Sequence, residues 1–194
     1  MMSSLLVTLT DIVESIAPYD ERETQDKVTI LRWINSGQPI YRISKPDNPP
    51  KHLISYFVLF DKQANALMLI DHKKADLWLP AGGHIEVDES PKDTVIREAK
   101  EELRISADFS TTFGDMPLFV AITETRGDKG KHTDVSLWYV LAGNIKDSLW
   151  FDVTEMRDYK WLPLDQILNT DINTLDPCMH RFVLKMKKAT SSVG

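Results

Sequence analysis

Cysteine and long apolar runs are both scarce in this chain, and each scarcity excludes a class of protein. Cys178 is the only cysteine in 194 residues, so the chain forms no intramolecular disulfide. No apolar run approaches the roughly 20 residues that a membrane-spanning helix needs. The first residues carry no basic segment, and Asp11 and Glu14 interrupt their apolar pattern, so we predict no signal peptide. Together these features predict a cytoplasmic protein without a membrane partner.

The chain also has fewer basic residues than acidic ones. The chain has 23 lysines and arginines against 29 aspartates and glutamates, which gives a formal net charge of -6. This balance argues against a nucleic-acid polymer as partner, because such polymers are bound through broad basic surfaces. An anionic small molecule is still compatible with it if metal ions neutralise carboxylates locally. The 42% hydrophobic content is enough for the core of one domain with an appendage.

The pattern of residues 1–50 predicts a helical hairpin followed by a linker. Apolar residues recur at helical spacing in residues 3–17, and Pro18 ends that run. A second helix is predicted to begin after Asp20, which forms a capping-box pattern with Glu23, and to stop at Gly37. Its predicted apolar residues are Val28, Leu31 and Ile34. Because a hairpin alone cannot bury both faces, we expect it to pack on the rest of the chain or to form a homodimer interface.

Residues 51–194 are predicted to form the main domain. Apolar and β-branched runs predict strands at 52–60, 66–72, 117–127 and 133–143, and a short strand at Trp161 and Leu162. Helical patterns are predicted at 164–168 and from Pro177, capped by Asp176, to Lys188. Strands interspersed with helices indicate an α+β fold whose sheet lies between helices.

Residues 82–105 form the most distinctive stretch, which reads GGHIEVDESPKDTVIREAKEELRI. Gly82 and Gly83 predict a turn that leads into a polar loop. Ser90 is a good N-cap for the helix that follows, and Pro91 suits its first position. We therefore predict a turn, a loop and a helix in this order.

The predicted helix has two faces. Its apolar face consists of Ile96, Ala99 and Leu103, and its opposite side gathers Glu98, Glu101 and Glu102. Three clustered carboxylates repel one another unless a cation or solvent intervenes. Carboxylate oxygens suit Mg²⁺ or Mn²⁺, so the stretch predicts a divalent-metal site. A solvated helix face is the alternative interpretation of the same charges.

These residues resemble the box of the Nudix hydrolase family. The family pattern sets glycine, glutamate and arginine positions at fixed spacing up to Ile105, and the matching residues here are Gly83, Glu89, Arg97, Glu98, Glu101 and Glu102. Ala99 is a small residue at a position where the family has a larger aliphatic one. Arg104 replaces the family's usual glycine, which would end the helix in a left-handed conformation. This second departure leaves the shape of the helix exit open, but it does not affect the predicted metal site.

The resemblance implies the Nudix fold, a mixed sheet between helices, over roughly residues 52–188. It also implies roles for the side chains of the box. Three glutamates would bind the metal and take part in catalysis, namely Glu98, which is also a candidate general base, Glu101 and Glu102. The carbonyl group of Gly82 would be a further metal ligand, because a glycine lets the backbone approach closely. Arg97 is expected to pair with Glu89 and support the loop, and Glu86 is either another ligand or solvated.

Outside the box, Glu155 is the predicted additional acid. Residues 154–167 resemble the corresponding part of the oxidised-purine nucleoside triphosphatases, in which acidic residues read the base. The acid pair is incomplete here because Thr154 precedes Glu155. Glu155 therefore has three interpretations: it recognises the base, it binds the metal or the attacking water, or it is simply exposed to solvent.

A proline-rich segment, residues 38–51, supplies the candidate substrate contacts Tyr41 and Arg42, together with Lys45. A phenol ring can lie against a base and a cationic side chain can contact phosphate. The alternative interpretation is a packed linker with solvated basic residues.

The resemblance thus implies a divalent-metal-dependent enzyme that hydrolyses a nucleoside diphosphate-linked compound within its pyrophosphate chain by metal-activated water. The leading substrate is a nucleoside triphosphate, oxidised or not. Alternatives within the family are sugar-nucleotide, dinucleotide-polyphosphate and coenzyme pyrophosphatases. A non-catalytic domain that senses a nucleotide or binds a partner is the alternative of another class, and the complete set of box glutamates disfavours it.

Overall fold

The computed structural model describes residues 2–44, 48–127 and 130–191, and Lys45 lies outside these ranges. The N-terminal helices are α1 (Met2–Ser15) and α2 (Glu21–Ile34). The strands are β1 (Lys51–Asp61), β2 (Ala66–His72), β3 (Leu77–Leu79), β4 (Ala81–His84), β5 (Phe119–Gly127), β6 (Gly130–Ala142) and β7 (Met156–Pro163). The remaining helices are α3 (Pro91–Leu103), α4 (Leu164–Asn169) and α5 (Met179–Ser191), with a short 3₁₀ helix at Ile172–Thr174.

The strands form one mixed sheet in the order β3-β2-β1-β6-β5, with β4 added on β1 and β7 on β2. Strands β1 and β6 run parallel over ten residue pairs, from Lys51–Thr133 to Phe60–Ala142, and the other pairs are antiparallel. This architecture confirms the predicted α+β fold. The longest strands, β1 and β6, lie at the centre of the sheet, where the backbone groups of a strand find hydrogen-bond partners on both sides.

Helices cover both faces of this sheet. In β1, Phe57 and Leu59 pack into one apolar cluster, which includes residues of α1, α2 and α3. The alternating residues Val58 and Phe60 pack into a second cluster, which includes residues of α4 and α5. Because successive side chains of a strand point to opposite faces, the uninterrupted apolar run of β1 is what a strand buried on both faces requires.

The N-terminal hairpin packs on the main body of the chain. Leu9 and Ile30 belong to the same apolar cluster as Phe57. Asp20 caps α2 as predicted, since its Oδ1 accepts a hydrogen bond from the Glu23 N–H at 2.7 Å. Val28 is exposed rather than buried, and Trp33 packs inward instead. A domain boundary after residue 50 and a homodimer role for the hairpin both stay predictions.

The strands that precede α3 differ from the sequence prediction. Gly82 and Gly83 do not form a turn; they lie in β4 and pair with Tyr56 and Ser55 of β1. The strand predicted at Trp161 and Leu162 is also longer and covers the whole of β7. Short edge strands rich in glycine carry little apolar pattern, so periodicity does not reveal them. Among the described helices, none combines the length and the apolar character that crossing a bilayer requires.

Helix α3 begins as predicted but buries a different face. Ser90 caps it by accepting a hydrogen bond from the Asp93 N–H at 3.1 Å. Ile96 is 44% exposed, so its predicted place in the apolar face is wrong. The buried stripe is Val95, Ala99, Glu102 and Leu103. These positions follow the i, i+4, i+7, i+8 spacing of one helix face, and Ile96 lies just beyond the edge of that face, next to the direction of Leu103.

Arg104 itself adopts the left-handed conformation that a glycine would favour, with φ 54° and ψ 32°. The Ala99 carbonyl group then accepts hydrogen bonds from the Arg104 N–H and, at 3.1 Å, from the Ile105 N–H, which satisfies it at the helix end. The Arg104 guanidinium lies 3.8 Å from the centre of the Trp150 ring. The helix exit therefore keeps the usual geometry, with a cation–π contact next to a strained backbone.

We expect Arg104→Gly to be more stable than Arg104→Ala by about 1 kcal/mol, because both lose the Trp150 contact but only glycine relieves the left-handed strain. The free energy of unfolding in urea measures this difference. Equal stabilities of the two variants would contradict the strain at this position.

Candidate active site

Two glycines of β4 bring the backbone against the carboxylates of α3. Gly82 has φ +134°, and a Cβ atom there would lie 2.2 Å from the Ser55 carbonyl oxygen. A Cβ atom on Gly83 would lie 2.1 Å from Oε1 of Glu98. The Gly82 N–H donates to Oε2 of Glu102 at 2.9 Å. Glycine is thus required at position 82 for β4 to lie against the backbone of β1, and Gly83 leaves the space that the Glu98 carboxylate occupies.

The three predicted metal-binding glutamates do not share one environment. The side chains of Glu98 and Glu102, four residues apart on α3, are both largely buried next to β4. The side chain of Glu101 is 61% exposed. The structure therefore brings Glu98, Glu102 and Gly82 together, with Glu101 at the solvent side of the same helix.

Burial of this pair changes its protonation. Burial raises the pKa of Glu102 to about 8, and the negative charge of Glu98 adds to the effect. Burial also raises the pKa of Glu98, although Arg97 opposes that shift. Two buried carboxylates with raised pKa values are destabilised as anions, and a divalent cation would relieve them. Their oxygen donors, together with a backbone carbonyl group at a glycine, fit a hard cation such as Mg²⁺ or Mn²⁺.

We expect the metal-free protein to lose stability as pH rises. The pKa of Glu102 is about 8 in the folded chain against an ordinary value of 4.5, so the folded state holds the proton more tightly. The stability gained from this proton is complete below pH 4.5 and is lost as pH rises through about 8.

Melting temperatures between mildly acidic and mildly alkaline pH, measured with a chelator, test this expectation. The wild type should show a steeper decline than Glu102→Gln, and Mg²⁺ should restore stability at alkaline pH in the wild type only. Identical slopes for the two proteins would show that Glu102 does not titrate in this range.

Arg97 holds the loop between β4 and α3. Its Nε and Nη2 donate to the two carboxylate oxygens of Glu89 at 2.8 and 3.0 Å, and its Nη1 donates to Glu98 at 2.6 Å. Nη2 also donates to the His84 carbonyl group at 3.1 Å. Burial alone would raise the pKa of Glu89, but the hydrogen bonds it accepts outweigh burial and lower that pKa. Arg97 thus contacts β4, the loop and Glu98 with one rigid guanidinium group. Glu86 is exposed, and only its backbone N–H donates to Glu89.

The loop before β7 adds charge beside Glu102. The negative charge of Glu155 contributes to the raised pKa of Glu102, so Glu155 lies within electrostatic range of the pair. Its side chain is half exposed and lies 3.9 Å from the Lys74 ammonium group. Asp152, which the sequence prediction missed, donates its backbone N–H to the Glu102 carbonyl group at 3.0 Å and acts on the same pKa. The available signal for Asp152 in the sequence was its position three residues before Glu155, the acid that was predicted.

The predicted substrate contacts Tyr41 and Arg42 lie near the box loop and near the histidines of β1 and β4. Tyr41 packs against the core, and burial followed by the charge of Asp88 raises its pKa, so it lies near the box loop. Its hydroxyl group is buried and has no hydrogen-bond partner among the described residues. The charge of Arg42 acts on His52 and His84. The substrate roles of Tyr41 and Arg42 stay predictions, as do the roles of the box glutamates.

A sequence model described as NUDIX domain matches residues 50–183. The chain belongs to the NUDIX family. A relative from Lactococcus lactis subsp. cremoris (strain MG1363), a probable DHNTP pyrophosphohydrolase, is 31% identical over 134 residues, which are 68% of this chain and 77% of that one. The predicted family is therefore confirmed, and so is the prediction of an enzyme that acts on phosphoanhydride bonds.

Solved structures show the same NUDIX fold. The MutT protein from Methanosarcina mazei Go1 has a TM-score of 0.53 at 19% identity and covers 71% of this chain and 94% of its own. A C. elegans Ap4A hydrolase has a TM-score of 0.53 at 18% identity and covers 72% of this chain and 98% of its own. The E. coli dihydroneopterin triphosphate pyrophosphohydrolase has a TM-score of 0.52 at 17% identity and covers 75% of this chain and 99% of its own. The NUDIX family generally uses a divalent metal, in keeping with the carboxylates of α3.

Proposed function

We propose that this protein is a Mg²⁺- or Mn²⁺-dependent pyrophosphohydrolase that cleaves a triphosphate attached to a bicyclic heteroaromatic group, and that it releases pyrophosphate. The observation that carries the proposal is the buried pair Glu98 and Glu102 against the two glycines of β4. The substrate class rests on the Lactococcus relative, whose name specifies DHNTP. A pterin triphosphate therefore stands beside the nucleoside triphosphates, oxidised or not, that residues 154–167 suggest.

In this proposal, the pair Glu98 and Glu102 holds the cation together with the Gly82 carbonyl group, and Glu101 completes the set from the solvent side. A cation held there would neutralise the phosphate oxygens and lower the pKa of a water molecule. Glu98 is the candidate general base, because burial raises its pKa and so improves it as a proton acceptor. Arg97 holds the Glu98 carboxylate in place through its 2.6 Å contact.

Glu155 and Asp152 both lie within electrostatic range of Glu102. Their charges keep the surroundings of Glu102 negative, and this strengthens cation binding once the protons have left. Glu155 is half exposed, so it can also accept a hydrogen bond from the heteroaromatic group of a bound substrate.

A substrate panel with Mg²⁺ tests the proposal. It should contain dihydroneopterin triphosphate, 8-oxo-dGTP, dGTP, ADP-ribose and a dinucleoside tetraphosphate, with separate assays for phosphate and pyrophosphate. We expect pyrophosphate release from a triphosphate, with a kcat/KM about tenfold or more above those of the other two classes, a margin of about 1.4 kcal/mol. Preferred cleavage of ADP-ribose or of the dinucleotide would overturn the substrate class. Tight nucleotide binding without turnover of any compound would favour a non-catalytic role.

A further inference from the structure

A second group of metal-ligand side chains lies where β1 and β6 begin, and the proposed hydrolysis does not use it. His52 of β1 pairs in register with Asp134 of β6. His132 precedes Asp134 by two residues and therefore lies on the same side of the strand. His52 and Asp134 are buried, and the side chain of His132 is largely so. None of the box glutamates belongs to this group.

The distances within the group are those of ligands around one small ion. Oδ1 of Asp134 lies 3.2 Å from Nε2 of His52 and 3.4 Å from Nε2 of His132. One ligand atom from each of these three residues can be chosen so that all lie within 4.8 Å of one another. Nε2 of His84, on β4, lies 3.0 Å from Nε2 of His52. Ligands at about 2.0–2.1 Å from a tetrahedral ion are about 3.3 Å apart, close to these separations.

The hydrogen bonding of His52 fixes which nitrogen faces the group. Nδ1 of His52 lies 3.0 Å from the Pro49 carbonyl oxygen, which can only accept, so Nδ1 carries the hydrogen. The neutral ring then presents the lone pair of Nε2 to Asp134 and His84. A histidine whose second nitrogen donates to a backbone carbonyl group is the usual arrangement behind a metal ligand.

Two imidazole nitrogens and a carboxylate oxygen thus lie at the mutual separations of ligands around one metal ion. We propose that His52, His132 and Asp134, with His84 beside them, bind a divalent transition metal ion of the Zn²⁺ type. Imidazole nitrogens favour Zn²⁺ over Mg²⁺, which prefers oxygen ligands, so this site and the glutamate site select different ions. The charge of Arg42 reaches His52 and His84 and opposes a cation, and the Asp134 carboxylate offsets it.

A bound ion would join neighbouring strands of the sheet. His52 lies on β1, whereas His132 and Asp134 lie on β6, and β1 also pairs with β4. His84 of β4 directly follows the glycine pair and contacts Arg97 through its carbonyl group. The ion would therefore hold the strand that carries Gly82 and Gly83 without entering the reaction itself.

Metal titration of the full chain tests the site. The protein is stripped with a chelator and titrated with Zn²⁺ against a chromogenic competitor in excess Mg²⁺, and a parallel sample is titrated with Co²⁺. We expect one tightly bound equivalent of Zn²⁺ and the intense visible absorption of four-coordinate Co²⁺. His132→Gln should weaken Zn²⁺ binding by about 100-fold or more, because it removes a ligand. His180→Gln, a substitution of a partly buried histidine outside the group, should leave the affinity unchanged.

The double variant Glu98→Gln/Glu102→Gln locates the ion. Unchanged Zn²⁺ affinity in this variant supports the histidine site, whereas a loss of affinity there and not in His132→Gln would overturn it. A wild-type chain that binds no equivalent of Zn²⁺ would also overturn it. If His132→Gln does not fold, the wild-type Co²⁺ spectrum decides, since weak octahedral bands would contradict the proposed four-coordinate site.

Discussion

Glu102→Gln is expected to lower kcat/KM for the preferred triphosphate by about 10³-fold, in the range seen when one catalytic electrostatic partner is removed. Glutamine has nearly the same shape, and its carbonyl oxygen can still accept the Gly82 N–H bond that Oε2 of Glu102 accepts at 2.9 Å. The variant therefore keeps the contact with β4 and removes only the charge. A loss of activity can then be attributed to the metal site rather than to misfolding.

The Mg²⁺ dependence of the variant provides a second measurement. If Glu102 holds the cation, Glu102→Gln should need a higher Mg²⁺ concentration for half-maximal rate as well as having a lower maximal rate. Glu21→Gln, the same substitution at an exposed position of α2, is the matched control and should behave as the wild type. Activity of Glu102→Gln within a few fold of the wild type would exclude this residue as a metal ligand.

Glu23→Gln, in the N-terminal hairpin, is expected to lower the free energy of unfolding by a large amount. Glu23 is fully buried and accepts three hydrogen bonds. Oε1 accepts from the Lys185 ammonium group at 2.6 Å and from the Val120 N–H at 3.2 Å, and Oε2 accepts from the Tyr19 N–H at 2.6 Å. Both carboxylate oxygens thus face donors, and the pair links α2 to β5 and α5.

A glutamine at position 23 cannot satisfy this arrangement. Its amide nitrogen would face a donor in either orientation, and the buried Lys185 cation would lose its counter-charge. Removing one partner of a buried ion pair costs about 3–5 kcal/mol of unfolding free energy. Urea unfolding measures this loss, with Glu21→Gln on the same helix as the exposed control, for which a change within about 0.5 kcal/mol is expected.

A double variant separates loss of the pair from loss of packing. Glu23→Gln/Lys185→Met removes the buried cation as well, so it should recover part of the stability that Glu23→Gln loses. A single variant within about 1 kcal/mol of the wild type would mean that solvent reaches Lys185 when the pair is broken. A double variant no better than the single one would place the loss in the backbone contacts of Tyr19 and Val120.

Spacing along the chain was sufficient to predict the elements with strong local patterns. The cap at Ser90, the cap at Asp20 and the strand at residues 66–72 all match the structure. Local preferences decide such features, since a capping side chain reaches only the next three residues and a strand repeats every two. The same reasoning failed for Ile96, because the direction that a helix faces depends on what it packs against.

In the candidate site too, some features follow from local sequence and others from packing. The motif at residues 82–105 placed the chain in its family and identified the glutamates by spacing alone. It did not distinguish buried Glu98 and Glu102 from exposed Glu101, because that difference arises from the approach of β4. Asp152, His52 and Asp134 lie outside the motif in sequence: a backbone hydrogen bond to Glu102 holds Asp152, and strand pairing sets His52 opposite Asp134.

The sequence by itself determined the family, the α+β class and the acidic chemistry of the box, because these depend on residue types at fixed local spacing. Only the tertiary structure decided which carboxylates are buried, what surrounds Glu23 and which histidines meet Asp134. Those features depend on contacts between residues far apart in the sequence, separated by 20 positions in Gly82–Glu102, 32 in His52–His84 and 162 in Glu23–Lys185. Burial and long-range pairing set the pKa values of these groups, and neither is encoded in any single stretch of the chain.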